Sequence, residues 1–143
     1  MTALPPGYQL IDDPAAIDVA ATHAYLARSY WSPGIPYAIV ERALANSLAV
    51  ALRKDGEQVG LARVVTDRAT FAYLADAYVL EEHRGRGLAR AMVAHLQAHP
   101  ELQGLRRWLL MTADAHEVYA PLGWVPLAHP ERGMEMHEPD IYR

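Results

Sequence analysis

Cysteine is absent from the 143 residues, which removes disulfides, thiolate metal ligands and thiol nucleophiles from the chemistry open to this chain. The seven histidines come without cysteine partners, and no metal site is expected. A basic excess is missing too: 13 Lys and Arg stand against 17 Asp and Glu, a formal net charge of -4. General binding to nucleic acid needs a cationic face that displaces counterions from phosphates, so no nucleic-acid partner is expected. Nowhere do about eighteen apolar residues follow one another, and Met1 to Tyr8 show no basic stretch leading into an apolar run. No membrane partner is expected, and a cytoplasmic location is the default. Repeats, linkers and low-complexity stretches are missing as well. What is present is 52% apolar residues beside 21% charged ones, a balance that favours a packed globule over disorder. The length suits one domain over residues 1–143.

Tyr8-Gln9-Leu10-Ile11 is a β-prone run closed by Asp12-Asp13-Pro14, a helix-start signal. From Ala15 the apolar residues Ile17, Ala20, Ala21 and Ala24 recur at three and four and predict one helix running to Arg28. Ser29 to Pro36, with two prolines and a glycine, cannot continue it, and a second helix is predicted over Tyr37 to Ala45. Leu48 to Arg53 and Gln58 to Thr66 read as strands around an Asp55-Gly56 hairpin turn, with Gly60 marking a bulge or a close approach. A long central strand follows over Thr70 to Leu80. The next helix begins near Gly87, carries Leu88, Ala91, Met92 and His95 on one face, and stops at His99-Pro100. Arg107 to Thr112, mostly apolar, reads as a strand buried on both faces. Asp114 is expected to cap a short helix that holds Tyr119 and ends at Pro121-Leu122-Gly123. Trp124 to Leu127 and Gly133 to His137 are expected to form a terminal hairpin around Pro130. This order predicts an α+β fold with a mixed, mostly antiparallel central sheet flanked by helices.

Between the central strand and its helix lies Arg84-Gly85-Arg86-Gly87-Leu88-Ala89-Arg90, which reads as an anion cradle. Gly85 and Gly87 let the backbone take positive φ and approach a ligand closely. The first amides of the following helix have no intrahelical partner and sit at the positive end of its dipole, and Arg84, Arg86 and Arg90 add full charges. Hydrogen bonds to a charged group are worth about 1.5 to 3 kcal/mol each, so three or four amides on a pyrophosphate would anchor a nucleotide-like cofactor. The loop is no P-loop, because no Gly-Lys-Ser/Thr ends it. Nor is it a dinucleotide fingerprint, because Arg90 stands where a third Gly or Ala is needed.

What remains, Arg84-x-x-Gly87-x-Ala89, resembles the Arg/Gln-x-x-Gly-x-Gly/Ala signature of the GNAT superfamily of acetyl-CoA-dependent N-acetyltransferases. It follows Ala77-Tyr78-Val79, which are similar to that family's pantetheine-binding strand. A second segment, Ala115-His116-Glu117-Val118-Tyr119-Ala120-Pro121-Leu122-Gly123-Trp124, resembles the family's Ala-x-x-x-Tyr-x-x-x-Gly-Phe. The resemblance implies a GNAT-like acyl-CoA N-acyltransferase fold. It also implies acetyl-CoA as cosubstrate on Ala77, Tyr78, Val79, Arg84, Gly85, Arg86, Gly87, Leu88, Ala89 and Arg90, and a small-molecule or protein amine as acceptor. Terminal strands in this family often help form homodimers. Ala89 replaces the second glycine, Trp124 the frequent Phe, and Thr112 an asparagine that many relatives place near the cofactor.

Acetyl transfer to an amine has its own demands. An amine with pKa about 10.4 costs about 4.6 kcal/mol to deprotonate at pH 7, and the departing thiolate benefits from a proton donor. No nucleophilic side chain is needed if the acceptor attacks directly, which suits a chain without cysteine. By the resemblance, Tyr119 matches a tyrosine near the cofactor sulfur that acts as general acid; otherwise its ring packs the short helix on the sheet. Asp76 stands where relatives carry an acidic residue and is the candidate base, raised in pKa if buried. Strand alternation puts it on the face opposite to 73, 75, 77 and 79 unless a bulge near Ala75 turns it inward. A structural aspartate bonding a strand or an arginine is the equal alternative. Tyr30 and Trp31, in the loop between the first two helices, and Tyr73 on the central strand are candidates for the acceptor wall. For the loop pair, plugging the core is the even alternative. The function expected is an acetyl-CoA-dependent N-acetyltransferase working through a ternary complex. The alternative is a non-catalytic acyl-CoA-binding or regulatory module.

Overall fold

Asp55 and Gly56 both sit at positive φ, 53° and 81°, the two-residue turn whose twist matches the strands it joins. It connects β2 (Leu48–Lys54) to β3 (Glu57–Thr66) in the computed structural model, which describes residues 4–143. The first three residues of the Met1–Tyr8 segment lie outside the described residues. With β1 (Tyr8–Ile11), β4 (Phe71–Val79) and β5 (Arg107–Leu110) these strands form one sheet in sequence order. The first four are antiparallel to their neighbours and β5 runs parallel to β4, so the sheet is mixed as the sequence predicts. Gly60 is a close approach: a Cβ there would meet the Tyr78 carbonyl oxygen at 2.8 Å. The strand pair also carries a register shift beside it, after Leu52.

Helix α3 (Leu88–Gln97) covers one face of the sheet. Leu88, Met92, Val93 and Leu96 meet Val50, Leu52, Ala62, Val64, Ala72 and Leu74 there in the main core. Burying one such side chain stabilises the fold by about 1.5–3 kcal/mol. On the other face lies α1 (Val19–Leu26), with α2 (Tyr37–Ala45) beside it; Leu26, Ile35 and Val40 form a second, smaller core. A buried polar contact fixes α1 on the sheet. The Gln58 amide donates to Thr22 Oγ1 (2.9 Å) and Tyr78 Oη (3.2 Å), and its Oε1 accepts from the Asp18 amide (2.9 Å). Each buried polar atom is thus satisfied, as burial demands.

Several local readings are corrected. The helix from Ala15 is a 3-10 turn (Pro14–Ala16) followed by α1, because Ile17 is extended (ψ 127°) and Asp18 caps α1 through the Ala21 amide at 2.9 Å. The buried face of α1 is Thr22 and Leu26, while Ala20 and Ala24 are exposed; small alanines offer little area to hold a helix down. On α3, His95 does not stay with Leu88, Ala91 and Met92 but turns to Asp12 (2.9 Å), and Leu96 joins them in the core. Strand β5 is half-buried rather than buried on both faces, since it is the sheet's edge. Asp114 does not cap α4 (His116–Tyr119), which has Ala115 as its N-cap and no side-chain cap; the Thr112 hydroxyl accepts from the Ala115 amide (3.1 Å) ahead of the helix. The terminal hairpin does not form. Pro126 has no N–H to give a ladder, Pro130 opens a 3-10 turn, and residues 123–129 and 133–138 pair with no strand.

Candidate active site

The site begins where strand pairing stops. Strands β4 and β5 are paired from Phe71↔Arg107 to Leu74↔Leu110, but β4 runs on through Val79, so past Leu74 the edge of β4 facing β5 has no strand partner. The sequence supplies a second irregularity at this point. Between Leu61↔Tyr78 and Arg63↔Ala75 the register slips by one residue, and Asp76 sits at φ 56°. An aspartate tolerates this left-handed conformation better than most side chains. Before the slip Ala72 and Leu74 face the main core; after it Ala77 and Val79 do. The bulge weighed near Ala75 therefore exists at Asp76–Ala77.

The Asp76 carboxylate that the bulge redirects is largely buried and fully engaged. Its Oδ1 accepts from the Trp31 indole N–H (2.8 Å), and its Oδ2 from Arg63 Nε (2.6 Å), whose Nη1 donates onward to Ser47 Oγ (3.0 Å). Trp31 is thereby held beside Tyr30, edge to face at 5.0 Å. The loop pair does not plug the core: Tyr30 is 64% and Trp31 36% exposed, and both face the gap.

Two clefts open from that gap. One, of about 820 Å³, runs along Ala77, Tyr78 and Val79 to Arg84, Gly85, Gly87, Leu88, Ala89 and Arg90. The other, of about 600 Å³, is walled by Tyr73, Leu74, Asp76, Leu110 and Met111. They meet at Tyr30, Trp31, Ala77, Asp114, Ala115 and Tyr119, which line both. Tyr119 stands at the junction because α4 carries it there, its ring tilted on Trp124 at 6.2 Å. Among the described residues nothing hydrogen-bonds its hydroxyl. Burial raises its pKa above the ordinary value, with smaller contributions from Tyr30 and Asp114, so the phenol keeps its proton.

At the far end of the larger cleft, Gly85 and Gly87 take φ 79° and 74°. Gly87 is the N-cap of α3, and no side chain caps it, so the helix presents bare amides and its positive end to the cleft. The chemistry of this end fits a phosphate. The arginines play more structural parts than their charge alone implied. Arg84 donates to the Val79 carbonyl (2.9 Å) and the Tyr25 hydroxyl (2.9 Å), tying α1 to the loop. Arg90 donates to the carbonyls of Val118 (3.3 Å) and Glu117 (3.2 Å), tying α4 to α3. Arg86 turns back on the Glu82 and Arg84 carbonyls and is not brought to the cleft wall.

Sequence reasoning missed the end of α1. Tyr25 stacks on Tyr78 at 4.1 Å, and Arg28, paired with Glu81 (2.9 Å), lies over the Tyr25 ring; both line the larger cleft. The only signal was an aromatic and a cation three apart on a helix end. It also overlooked His95 and His99, four residues apart. They go separate ways, His95 to Asp12 and His99 to the Glu101 amide (3.0 Å). Among the described residues no three His, Cys, Asp or Glu gather around a metal-sized space, nor is any helix long and apolar enough to cross a membrane.

A mixed sheet parted between its last two strands, with bare helix amides at one end of the gap and a free phenol at its centre, defines a domain of the acyltransferase class. The family model described as the acetyltransferase (GNAT) family matches residues 13–124, and the chain belongs to that family. A Gibberella zeae protein named as a candidate acetyltransferase is 33% identical over 135 residues, covering 78% of this chain and 75% of its own. The crystal structure of a GNAT-family protein from Xanthomonas campestris matches with a TM-score of 0.92 at 43% identity, over 98% of this chain and 99% of that one. A Clostridium acetobutylicum structure with acetyl-CoA, only 16% identical, shares the fold at a TM-score of 0.68 over 91% and 94% of the two chains.

Proposed function

We propose that this protein moves an acetyl group from acetyl-CoA to a primary amine by direct attack within a ternary complex. The observation that carries the reading is the junction: two clefts of different character meet at one unengaged tyrosine hydroxyl, Tyr119, in the gap between β4 and β5. The larger cleft suits acetyl-CoA. Bare amides at Gly87 and after would take its pyrophosphate, and the unpaired edge of β4 at Ala77 to Val79 its pantetheine arm. Membership of the acetyltransferase family and the acetyl-CoA in the Clostridium relative support this cosubstrate.

Acetyl-CoA supplies a thioester carbonyl open to a neutral amine. The chain's residues do the rest. Tyr30, Trp31 and Tyr73 flank the acceptor's approach, and Tyr119, still protonated at assay pH, donates its proton to the departing sulfur as the C–N bond forms and the C–S bond breaks. The amine gives up a proton in exchange, so the phenol is restored at the end of the cycle. For Asp76 to act as the base it must release its hydrogen bond from Trp31 or from Arg63, a cost of about 1.5 to 3 kcal/mol for a bond to a charged group.

Tyr119→Phe tests the reading, since it removes the hydroxyl and keeps the ring on Trp124. General acid catalysis is worth about 10² to 10⁴ in rate, so kcat should fall by that factor with little change in acetyl-CoA affinity, the pattern of an interaction made mainly in the transition state. Wild-type kcat in the variant, with chemistry shown to be rate-limiting, would overturn the acid assignment. Tight acetyl-CoA binding with no turnover on any amine would return the protein to a binding module.

A further inference from the structure

Of the six residues that line both clefts, only Asp114 carries a carboxylate. It does not cap α4, which has Ala115 as its N-cap and no side-chain cap. Its side chain makes no hydrogen bond or ion pair among the described residues and is exposed toward the gap. It is also close enough to Tyr119 to add to the upward push on that phenol's pKa. The other charges on the smaller cleft lie away from the junction or are paired. Arg63 and Asp76 neutralise each other at 2.6 Å, and Glu135, also without a partner among the described residues, lies with His137 on the exposed terminal segment and lines only the smaller cleft. Among the described residues no unpaired arginine or lysine lines it. A cationic acceptor therefore finds one free carboxylate beside the proposed acid, and an anionic acceptor finds no counter-charge.

We propose that Asp114 receives the acceptor's ammonium group at the junction of the two clefts, next to Tyr119, and that the preferred acceptor is an amine without a neighbouring carboxylate. The inference rests on the acetyltransferase reading above. The protonated amine docks as an ion pair with Asp114 while its body lies on Tyr30 and Trp31, whose faces attract both apolar groups and cations. One proton then leaves the ammonium through the Asp114 carboxylate to water, and the freed lone pair attacks the thioester carbon. The second nitrogen proton is lost as the amide forms, balancing the one that Tyr119 gives to sulfur. Asp76 holds Trp31 in place and keeps its own two hydrogen bonds throughout.

The test compares tyramine with tyrosine and tryptamine with tryptophan as acceptors; every member carries one primary amine, and each pair differs only by the α-carboxylate. Acetyl-CoA binding is measured separately by calorimetry. Wild type should turn over the two carboxylate-free amines with kcat/KM at least tenfold above their partners. Asp114→Asn should lower kcat/KM for tyramine and tryptamine at least tenfold at pH 7.5, with acetyl-CoA affinity changed less than twofold. The deficit should shrink as the pH approaches that of the free amine. Equal kcat/KM for variant and wild type would overturn the proposal, as would a preference for tyrosine and tryptophan or no turnover of all four amines by an enzyme that binds acetyl-CoA. Failure to bind acetyl-CoA is the separate result that sinks the transferase reading itself.

Discussion

Asp76→Ala takes away a carboxylate that holds two groups from different parts of the chain, the Trp31 indole at 2.8 Å and Arg63 at 2.6 Å. Breaking a buried pair by removing one partner costs about 3–5 kcal/mol, because the other charge is left without compensation. Here the side chains are 18% and 10% exposed, so water and Ser47 recover part of that for Arg63, and about 2–4 kcal/mol is the fair expectation. Alanine does not relieve the backbone at φ 56°, where it is strained as most L-residues are. For a chain of this size the loss corresponds to a Tm lower by about 6–12 °C. Asp76→Asn keeps an oxygen for the indole and a side chain that tolerates the left-handed region, and should fall between wild type and alanine. Arg63→Met with Asp76→Ala closes a double-mutant cycle whose coupling reports the pair itself. Thermal and urea unfolding measure the loss, and Trp31 fluorescence reports whether the indole moves. An Asp76→Ala variant within about 0.5 kcal/mol of wild type would refute the anchor role. The aspartate would then be free for proton transfer, and kcat rather than stability would be where its loss appears.

Two other predictions bear on the cradle and on acid stability. Gly87→Ala adds a Cβ at φ 74°, costs about 1–2 kcal/mol, and should raise the acetyl-CoA dissociation constant at least tenfold, about 1.4 kcal/mol; a folded variant within twofold of wild type would move the phosphate site elsewhere. Asp67 accepts from the Thr70 hydroxyl (2.6 Å) and the amides of Thr70, Ala69 and Phe71, which together hold its carboxyl well below the ordinary range. A depressed carboxyl contributes stability above its unfolded pKa of about 4 and loses it as the pH falls toward the folded value. The Tm gap between wild type and Asp67→Asn should therefore be full at pH 7 and close below about pH 4; a gap unchanged down to pH 2 would assign the loop's stability to something other than that charge.

The elements that were legible in the sequence are those whose causes are local. Asp55-Gly56 dictates its hairpin through two positive φ values, Pro36 and Asn46 bracket α2, and Gly87 opens α3 because only a residue without Cβ turns there easily. Gly60 was legible as a close approach but not as an approach to Tyr78, since the oxygen that excludes its Cβ belongs to a neighbouring strand. The misreadings share a cause as well. The face of α1 was drawn through alanines, whose small area lets tertiary contacts decide the rotation, and the deciding contact is Gln58 on Thr22, 36 residues apart. His95 shares the spacing of Leu88, Ala91 and Met92, and an aspartate 83 residues away draws it off their face. The terminal hairpin was drawn through Pro126, a residue that cannot donate to a ladder.

The site obeys the same division, and this explains why its residues could be named while their tasks could not. Tyr119 and the 84–90 loop lie in contiguous motifs, so their neighbourhood travels with them. The partition between the clefts is assembled from Trp31, Arg63, Asp76 and Asp114, residues with no motif in common, brought together by one register slip and by the end of pairing at Leu74. A period-two strand with no slip would keep Asp76 on the face of Leu74, directed into the core beneath α3, and would give Trp31 no acceptor. The slip at Ala62 thus does two things at once. It turns the carboxylate out to grip the indole, and it reverses which side chains face the core beyond it, so that Tyr78 leaves α3 and stacks on Tyr25. With Asp76 occupied in this way, the one unengaged carboxylate at the junction is Asp114, and the chemistry of the acceptor turns on a residue that the sequence presents as a helix cap.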